Sequence, residues 1–254
     1  MIRMHIAVPA ALLLGLVVLA GCEKGTHRAA RRAWQEISGR SLPAGEQVAE
    51  LEAFVRNFPE AKTNPHLRRA CILLADHHTR AGRPEVAASW YERAVRADPD
   101  DPDLLNALGY HYARHGINLE RAVAVLEQAS RLAEERSLPA RRQGFIKDSL
   151  GWCHRMRGDL PLAVALLEEA DRLAPGVTII REHLAETYRA IGEGERAAVI
   201  YLDLLARSNP PNPEYREAIM AIGRAGGAQV RRDLERRLQA VERESGGAGE
   251  GKRR

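Results

Sequence analysis

Apolar residues recur along this chain at helical spacing, and the arrangement itself repeats. Leu74, Leu108, Leu150 and Leu184 are each followed by a small residue (Ala75, Gly109, Gly151, Ala185), and three positions further on stands a ring: His78, Tyr112, His154, Tyr188. Leu74 to Leu108 is 34 positions, and Leu150 to Leu184 is again 34. A second small residue comes 13 or 14 positions after each Leu (Ala87, Ala122, Ala163, Ala197), and four further on comes a large apolar one: Tyr91, Leu126, Leu167, Tyr201. Gly82, Gly116, Gly158 and Gly192 stand between, where a helix must end and reverse. Pro99, Pro175 and Pro210 close three of the periods. Each period therefore predicts two antiparallel helices, with Ala at the crossing so that the second can approach the first. One such pair cannot bury its apolar face alone, so pairs must stack.

These residues resemble the tetratricopeptide repeat, a 34-residue helix pair with a Trp-x2-Leu-Gly-x2-Tyr, Ala-x3-Phe, Pro pattern. Four units follow, 67–101, 102–143, 144–177 and 178–210. The first pattern position departs from it, with Cys71, Leu105, Lys147 and Arg181 in place of Trp. Gly109 to Gly151 is 42 residues, eight beyond the period. The excess lies around Glu134 to Gly144, with Pro139 ending one helix and starting the next, and predicts longer helices projecting as an elbow. Residues 28–66 read as a divergent first pair, with Trp34 in one helix and Leu51, Phe54 and Val55 in the other. The stretch Leu51–Pro59 is similar to repeats of outer-membrane assembly lipoproteins. Residues 211–242 read as two capping helices, and the Gly-rich, charged stretch 243–254 as disordered. The expected fold class is all-α, an α-solenoid of stacked antiparallel helix pairs.

The first 22 residues have another character. Arg3 precedes the uncharged run Ile6–Ala20, which ends in Leu19-Ala20-Gly21-Cys22. Short side chains before a cleavage point suit a signal peptidase, and a spanning helix needs about 20 apolar residues. The four residues resemble the lipobox of bacterial lipoproteins. That resemblance implies a signal peptide over 1–21, acylation of Cys22, and a tether over 22–27. Glu23 after the Cys implies, in a two-membrane cell, the outer membrane facing the periplasm. An ordinary secretory signal or a single membrane anchor is the alternative.

Composition narrows the chemistry. The 38 basic and 34 acidic residues are interspersed, so the net charge of +4 describes a mixed solvated surface rather than a nucleic-acid footprint. Glu168-Glu169 and Asp100-Asp101 read as helix-face and turn charges, and no phosphate loop, GxSxG or HExxH occurs. No catalytic residue and no cofactor are indicated. His111 and His115 stand four apart, and His77, His78 and His154 add to them, but no carboxylate or Cys stands beside them at ligand spacing, so packed or solvated rings are expected and no metal. Cys71 and Cys153 fall in the first and third units and read as small packed side chains rather than a disulfide. Ala163 is expected at a tight crossing and Ala129 in a less constrained turn.

The resemblance implies a protein-binding groove lined by the first helix of each unit. Carried over residue by residue, it supplies Arg69, Asp76 and Arg80, then Asn106, Tyr110 and Arg114, then Phe145, Asp148, Trp152 and Arg155, then Glu182, Glu186 and Arg189. Aromatic residues and Arg are the types enriched in binding hot spots, and Tyr110, Trp152 and Arg155 are expected on one wall. The competing reading is that some of these residues only cover the groove, and the elbow near Leu138, Arg141 and Arg142 is the rival surface. The implied function is a membrane-anchored scaffold or assembly factor for a cell-envelope complex, with protein partners and no nucleic acid. The alternative is an accessory subunit recruiting an envelope enzyme that acts on peptidoglycan or exopolysaccharide. Among assembly factors, the architecture is similar to that of pilotins, which help pilus secretin rings assemble.

Overall fold

A computed structural model describes residues 10–41, 43–60 and 64–250, with side chains described from Lys24 to Arg243. The described residues form twelve α-helices and no strand. They are α1 (Ala10–Ser38), α2 (Ala44–Asn57), α3 (Leu67–Arg80), α4 (Pro84–Ala97), α5 (Pro102–His115), α6 (Leu119–Glu135), α7 (Ala140–Arg157), α8 (Leu160–Leu173), α9 (Thr178–Ala190), α10 (Gly194–Arg207), α11 (Pro213–Ala225) and α12 (Gly227–Glu250). The chain divides into two compact units, 1–111 and 112–254, and the division falls within α5.

The first unit is built on a core of Trp34 and Ile37 from α1, Leu51, Phe54 and Val55 from α2, and Leu67, Cys71 and Leu74 from α3. Trp34 tilts against Phe54 at 5.5 Å and lies parallel to His66 at 5.1 Å, so the divergent N-terminal helices close onto the first regular pair. Asn64 is buried and satisfied. Its amide donates to the Phe58 carbonyl at 2.8 Å and its Oδ1 accepts from the His66 N–H at 3.0 Å, which joins the end of α2 to the start of α3. At the start of α5 the Asp101 carboxylate accepts from the backbone N–H groups of Asp103 and Leu104, with Pro102 as the first helical residue, an N-terminal cap in its usual form. Arg68 ties Asp98 and Asp101 together at 3.0 and 2.7 Å across the turn before it.

The second unit carries a core of Leu167, Leu184, Ala185, Tyr188, Ala197, Tyr201, Ile219 and Leu234, running from α8 through α12. Helix reversals come where the glycines stand. Gly158 and Gly192 adopt φ of 89° and 83°, a left-handed conformation that costs an L side chain. Ala163 and Ala197 are wholly buried at the crossings. Gly151 belongs to the same set, since a Cβ there would lie 2.8 Å from Leu167 Cγ.

The elbow is two lengthened helices, 17 residues in α6 and 18 in α7 where α8 and α10 have 14. Ser137, at φ 50°, makes the turn between them. The Leu138 N–H returns to the Ala133 carbonyl at 2.9 Å, and the Gln143 side chain donates to the Leu138 carbonyl at 2.8 Å. Lys147, which stands where the repeat has Trp, bridges Glu134 at 3.0 Å and Glu169 at 3.6 Å. Burial opposes its charge, but these hydrogen bonds and carboxylates prevail and hold the ammonium above its usual value.

Three sequence-based expectations differ from the structure. Ala129 is fully buried within α6 rather than at a turn. The stretch expected to be disordered from 243 continues α12 as far as Glu250, and the expected tether 22–27 lies inside α1. Gly and charged residues lower helix propensity by at most about 1 kcal/mol each, which does not stop a helix already nucleated by a packed segment from continuing. Among the described residues, no helix is long and apolar enough to cross a membrane.

A candidate protein-binding surface on α7 and α9

Asp148, Trp152 and Arg155 recur at i, i+4 and i+7 and therefore share one face of α7. On the neighbouring α9, His183 and Glu186 meet them. The His183 ring lies over Trp152 at 4.2 Å between centroids, 26° from parallel. Its Nδ1 donates to the Asp148 carboxylate at 2.9 Å, and both side chains are almost wholly buried. An ionised carboxylate only accepts, so this bond fixes the tautomer and the plane of the ring that Trp152 stacks on. The Arg155 guanidinium stands 4.5 Å from the Trp152 ring centroid and 3.3 Å from Glu186. Planar stacking combined with a carboxylate contact is the geometry that suits Arg better than Lys.

Two donors in this cluster remain without a hydrogen-bond partner among the described residues, the indole Nε1 of Trp152 and Nε of Arg155. Both atoms are buried, so the cost of an unmade bond, typically about 1–3 kcal/mol, is borne inside the cluster. On the same two helices Met156, 3.9 Å from Arg155, and Ile179 are 39% and 40% exposed, among the most exposed large apolar side chains described. The surface thus offers a half-buried aromatic plate, a guanidinium aligned by Trp152 and Glu186, and an apolar margin, the ingredients of a binding hot spot. The Cys153 thiol on the same helix is buried, and burial pushes its pKa up to about 11, so it is a packed group and not a nucleophile.

The sequence-derived groove residues divide between the two units. In the first, Arg69 and Arg80 are exposed, with Arg69 5.9 Å from the Trp34 ring. Asp76 accepts the Tyr91 hydroxyl proton at 2.6 Å, Asn106 is half-buried with its Oδ1 unpartnered among the described residues, and Tyr110 is half-buried on α5. In the second, Arg114 is exposed on the last turn of α5. Phe145 packs on Ala170, Ala174 and Ile180 with Arg141 5.6 Å from its ring. Glu182 accepts from the Tyr215 hydroxyl, and Arg189 is exposed. Tyr110 belongs to the first unit and Trp152 with Arg155 to the second, so the cluster assembled here is that of α7 and α9 alone.

Asp148, a groove position in the repeat pattern, does not face outward: it is buried beneath Trp152 and committed to His183. His183 occupies no groove position of the repeat, so the pattern does not select it. Its signal is the 35-residue separation from Asp148, one residue beyond the period, with chemically complementary side chains. The side chain of Cys22 lies outside the described residues.

Comparisons with known proteins agree with this architecture. Residues 68–111 match the tetratricopeptide repeat family model. The fold is the tetratricopeptide-repeat fold. The crystal structure of PilW, described as a widely conserved type IV pilus biogenesis factor, superposes with a TM-score of 0.62 at 17% identity, over 87% of this chain and 93% of that one. Pseudomonas aeruginosa pilF gives 0.57 at 15% identity, over 87% and 89%. A thermophilic tetratricopeptide-repeat protein of Thermus thermophilus gives 0.53 at 20% identity, over 78% and 99%. Cellulose synthase operon protein C of Pseudomonas fluorescens (strain SBW25) is 25% identical over 212 residues, which is 78% of this chain. The chain spans only 16% of the length of that relative.

Proposed function

We propose that this tetratricopeptide-repeat protein is a lipid-anchored interaction scaffold that takes part in assembling a cell-envelope complex, with no catalysis of its own. The observation that carries the reading is the Trp152–Arg155–His183–Glu186 cluster, a half-buried aromatic and Arg surface bordered by the exposed Met156. The sequence Leu19-Ala20-Gly21-Cys22 after an uncharged run supports attachment through acyl chains on Cys22, each buried methylene contributing about 0.8 kcal/mol. Glu23 supports the outer membrane, facing the periplasm. The likeness of fold to PilW, a pilus biogenesis factor, supports an assembly role, with secretin assembly as its most specific form.

Affinity capture from solubilised host membranes tests this, with the wild type compared with Trp152→Phe. That substitution keeps a ring against His183 and removes part of the aromatic plate on which Arg155 lies. Loss of a reproducible protein partner supports the surface, and an unchanged set of partners refutes it.

A second reading is favoured by the cellulose synthase operon relative. In it the same surface recruits an envelope enzyme acting on a polysaccharide. The captured partner separates the two, since an enzyme would be recovered in place of a structural subunit.

A further inference from the structure

Helix α1 carries a charge asymmetry that the proposed scaffold surface does not use. Between Lys24 and Ser38 it holds Lys24, Arg28, Arg31 and Arg32, and a single carboxylate, Glu36. At about 100° per residue the four cations fall on one face. The opposite face bears Ala30, Ala33, Trp34 and Ile37, of which Ala33, Trp34 and Ile37 pack into the core formed with α2 and α3 and Ala30 is fully buried. All four cations are exposed, and none pairs with a carboxylate among the described residues. Arg28 reaches only the Lys24 carbonyl, and Arg31 the His27 ring, each at 3.4 Å. Other exposed Arg residues do reach carboxylates, as in Arg40–Glu50, Arg68–Asp101 and Arg216–Glu242. The field of the stripe reaches inward as well. Burial first, and then Arg31, Arg69 and His27, hold the His66 imidazole below its ordinary value.

The geometry points to this stripe as a docking surface for anionic lipid headgroups, resting on the reading that Cys22 is the anchor. Lys24 is two residues from Cys22 and Arg32 ten, so along the helix all four lie within about 15 Å of the acylated position. That distance keeps the nearer cations inside the reach of a charged surface, whose field decays over about 8–10 Å at physiological salt. Clusters of basic residues next to an anchor are the usual device for holding a juxtamembrane helix on an anionic leaflet. The buried Trp34 stripe fixes which way the cations point, so docking would set the orientation of the first unit on the membrane.

The test measures partitioning of the full chain carrying Cys22→Ala, which makes attachment reversible, onto phosphatidylcholine vesicles with and without phosphatidylglycerol. The ratio of the two partition coefficients isolates charge, because apolar insertion contributes to both. Each basic residue near an anionic surface contributes about fivefold, so converting Lys24, Arg28, Arg31 and Arg32 to Gln lowers the ratio by up to a few hundred-fold. Changing the three Arg residues to Lys preserves it, which separates charge from folding, and added salt lowers it in the unmodified stripe. A ratio unaffected by the four Gln substitutions overturns the proposal. So does stripe-dependent binding of soluble polyglutamate with no preference for anionic vesicles, which would assign the surface to an acidic polypeptide. Flotation of the Cys22 chain against Cys22→Ala reports the anchor separately, so its failure is distinguishable from that of the stripe.

Discussion

Gly151→Ala is a small change with a calculable consequence. Gly151 sits in the middle of α7 against α8, and an added Cβ would stand 2.8 Å from Leu167 Cγ and 3.2 Å from Leu166 Cβ and Leu167 Cδ2. Comfortable carbon contacts lie at about 3.5–4.0 Å, so something must move by about 0.7 Å. Leu167 cannot yield cheaply, because it is fully buried in the core shared with Leu184, Ala185 and Ala197. Overpacking of this kind costs about 1–3 kcal/mol, while replacing a mid-helix Gly by Ala returns up to about 1 kcal/mol of helix propensity. The net expectation is a loss of about 1–2 kcal/mol, roughly 2–8 °C in Tm for a unit of this size. Gly45→Ala in α2 meets nothing within 4 Å and should be neutral or stabilising by up to about 1 kcal/mol. Thermal unfolding followed by circular dichroism reads both. A rise in Tm for Gly151→Ala equal to that for Gly45→Ala would refute the close crossing of α7 and α8.

Other outcomes follow from burial and charge. Cys71 and Cys153 are fully buried with thiols raised to about 11, chiefly by burial, so iodoacetamide should leave both unlabelled until the chain is unfolded, and rapid native labelling of either would contradict their packing. The buried His78 ring has neither nitrogen hydrogen-bonded among the described residues, and burial chiefly, with Arg83 and His77, lowers its pKa below 6.5. The folded state therefore prefers the neutral ring, and its contribution to stability is intact above 6.5 and lost as the pH falls below that value. His78→Phe should reduce the loss of Tm between about pH 7 and pH 5, and an unchanged pH profile would remove His78 from the account. Cys22→Ala should shift the chain from the membrane fraction towards the soluble one, since the acyl chains make attachment effectively permanent, and a mutant still wholly in the membrane pellet would sink the anchoring proposal.

The repeat was legible because it rests on residues whose roles are steric and local. Ala163 and Ala197 mark crossings, Gly158 and Gly192 mark left-handed turns, and the eight extra residues before Gly151 lengthen α6 and α7. The candidate surface was only half legible. Trp152 and Arg155 could be placed on a common face by spacing, but the burial of Asp148 depends on His183 one unit away, and such a tertiary pairing leaves no trace in local periodicity. That pairing also changes the choice of mutation. Trp152→Ala strips the cover from a buried His–Asp bond and would disturb packing as well as binding, so Trp152→Phe is the informative substitution.

The central claim is that a protein partner docks on the α7–α9 surface. Its most direct test is a quantitative binding measurement, with the partner captured from membranes titrated against the wild type, Trp152→Phe, Arg155→Ala and an elbow variant carrying Leu138→Ala, Arg141→Ala and Arg142→Ala. The two surface substitutions should each lose at least about 1–2 kcal/mol, roughly 5- to 30-fold in Kd, with unchanged Tm for Trp152→Phe and little effect from the elbow. Full affinity in Trp152→Phe and Arg155→Ala, together with loss of binding in the elbow variant, would contradict it.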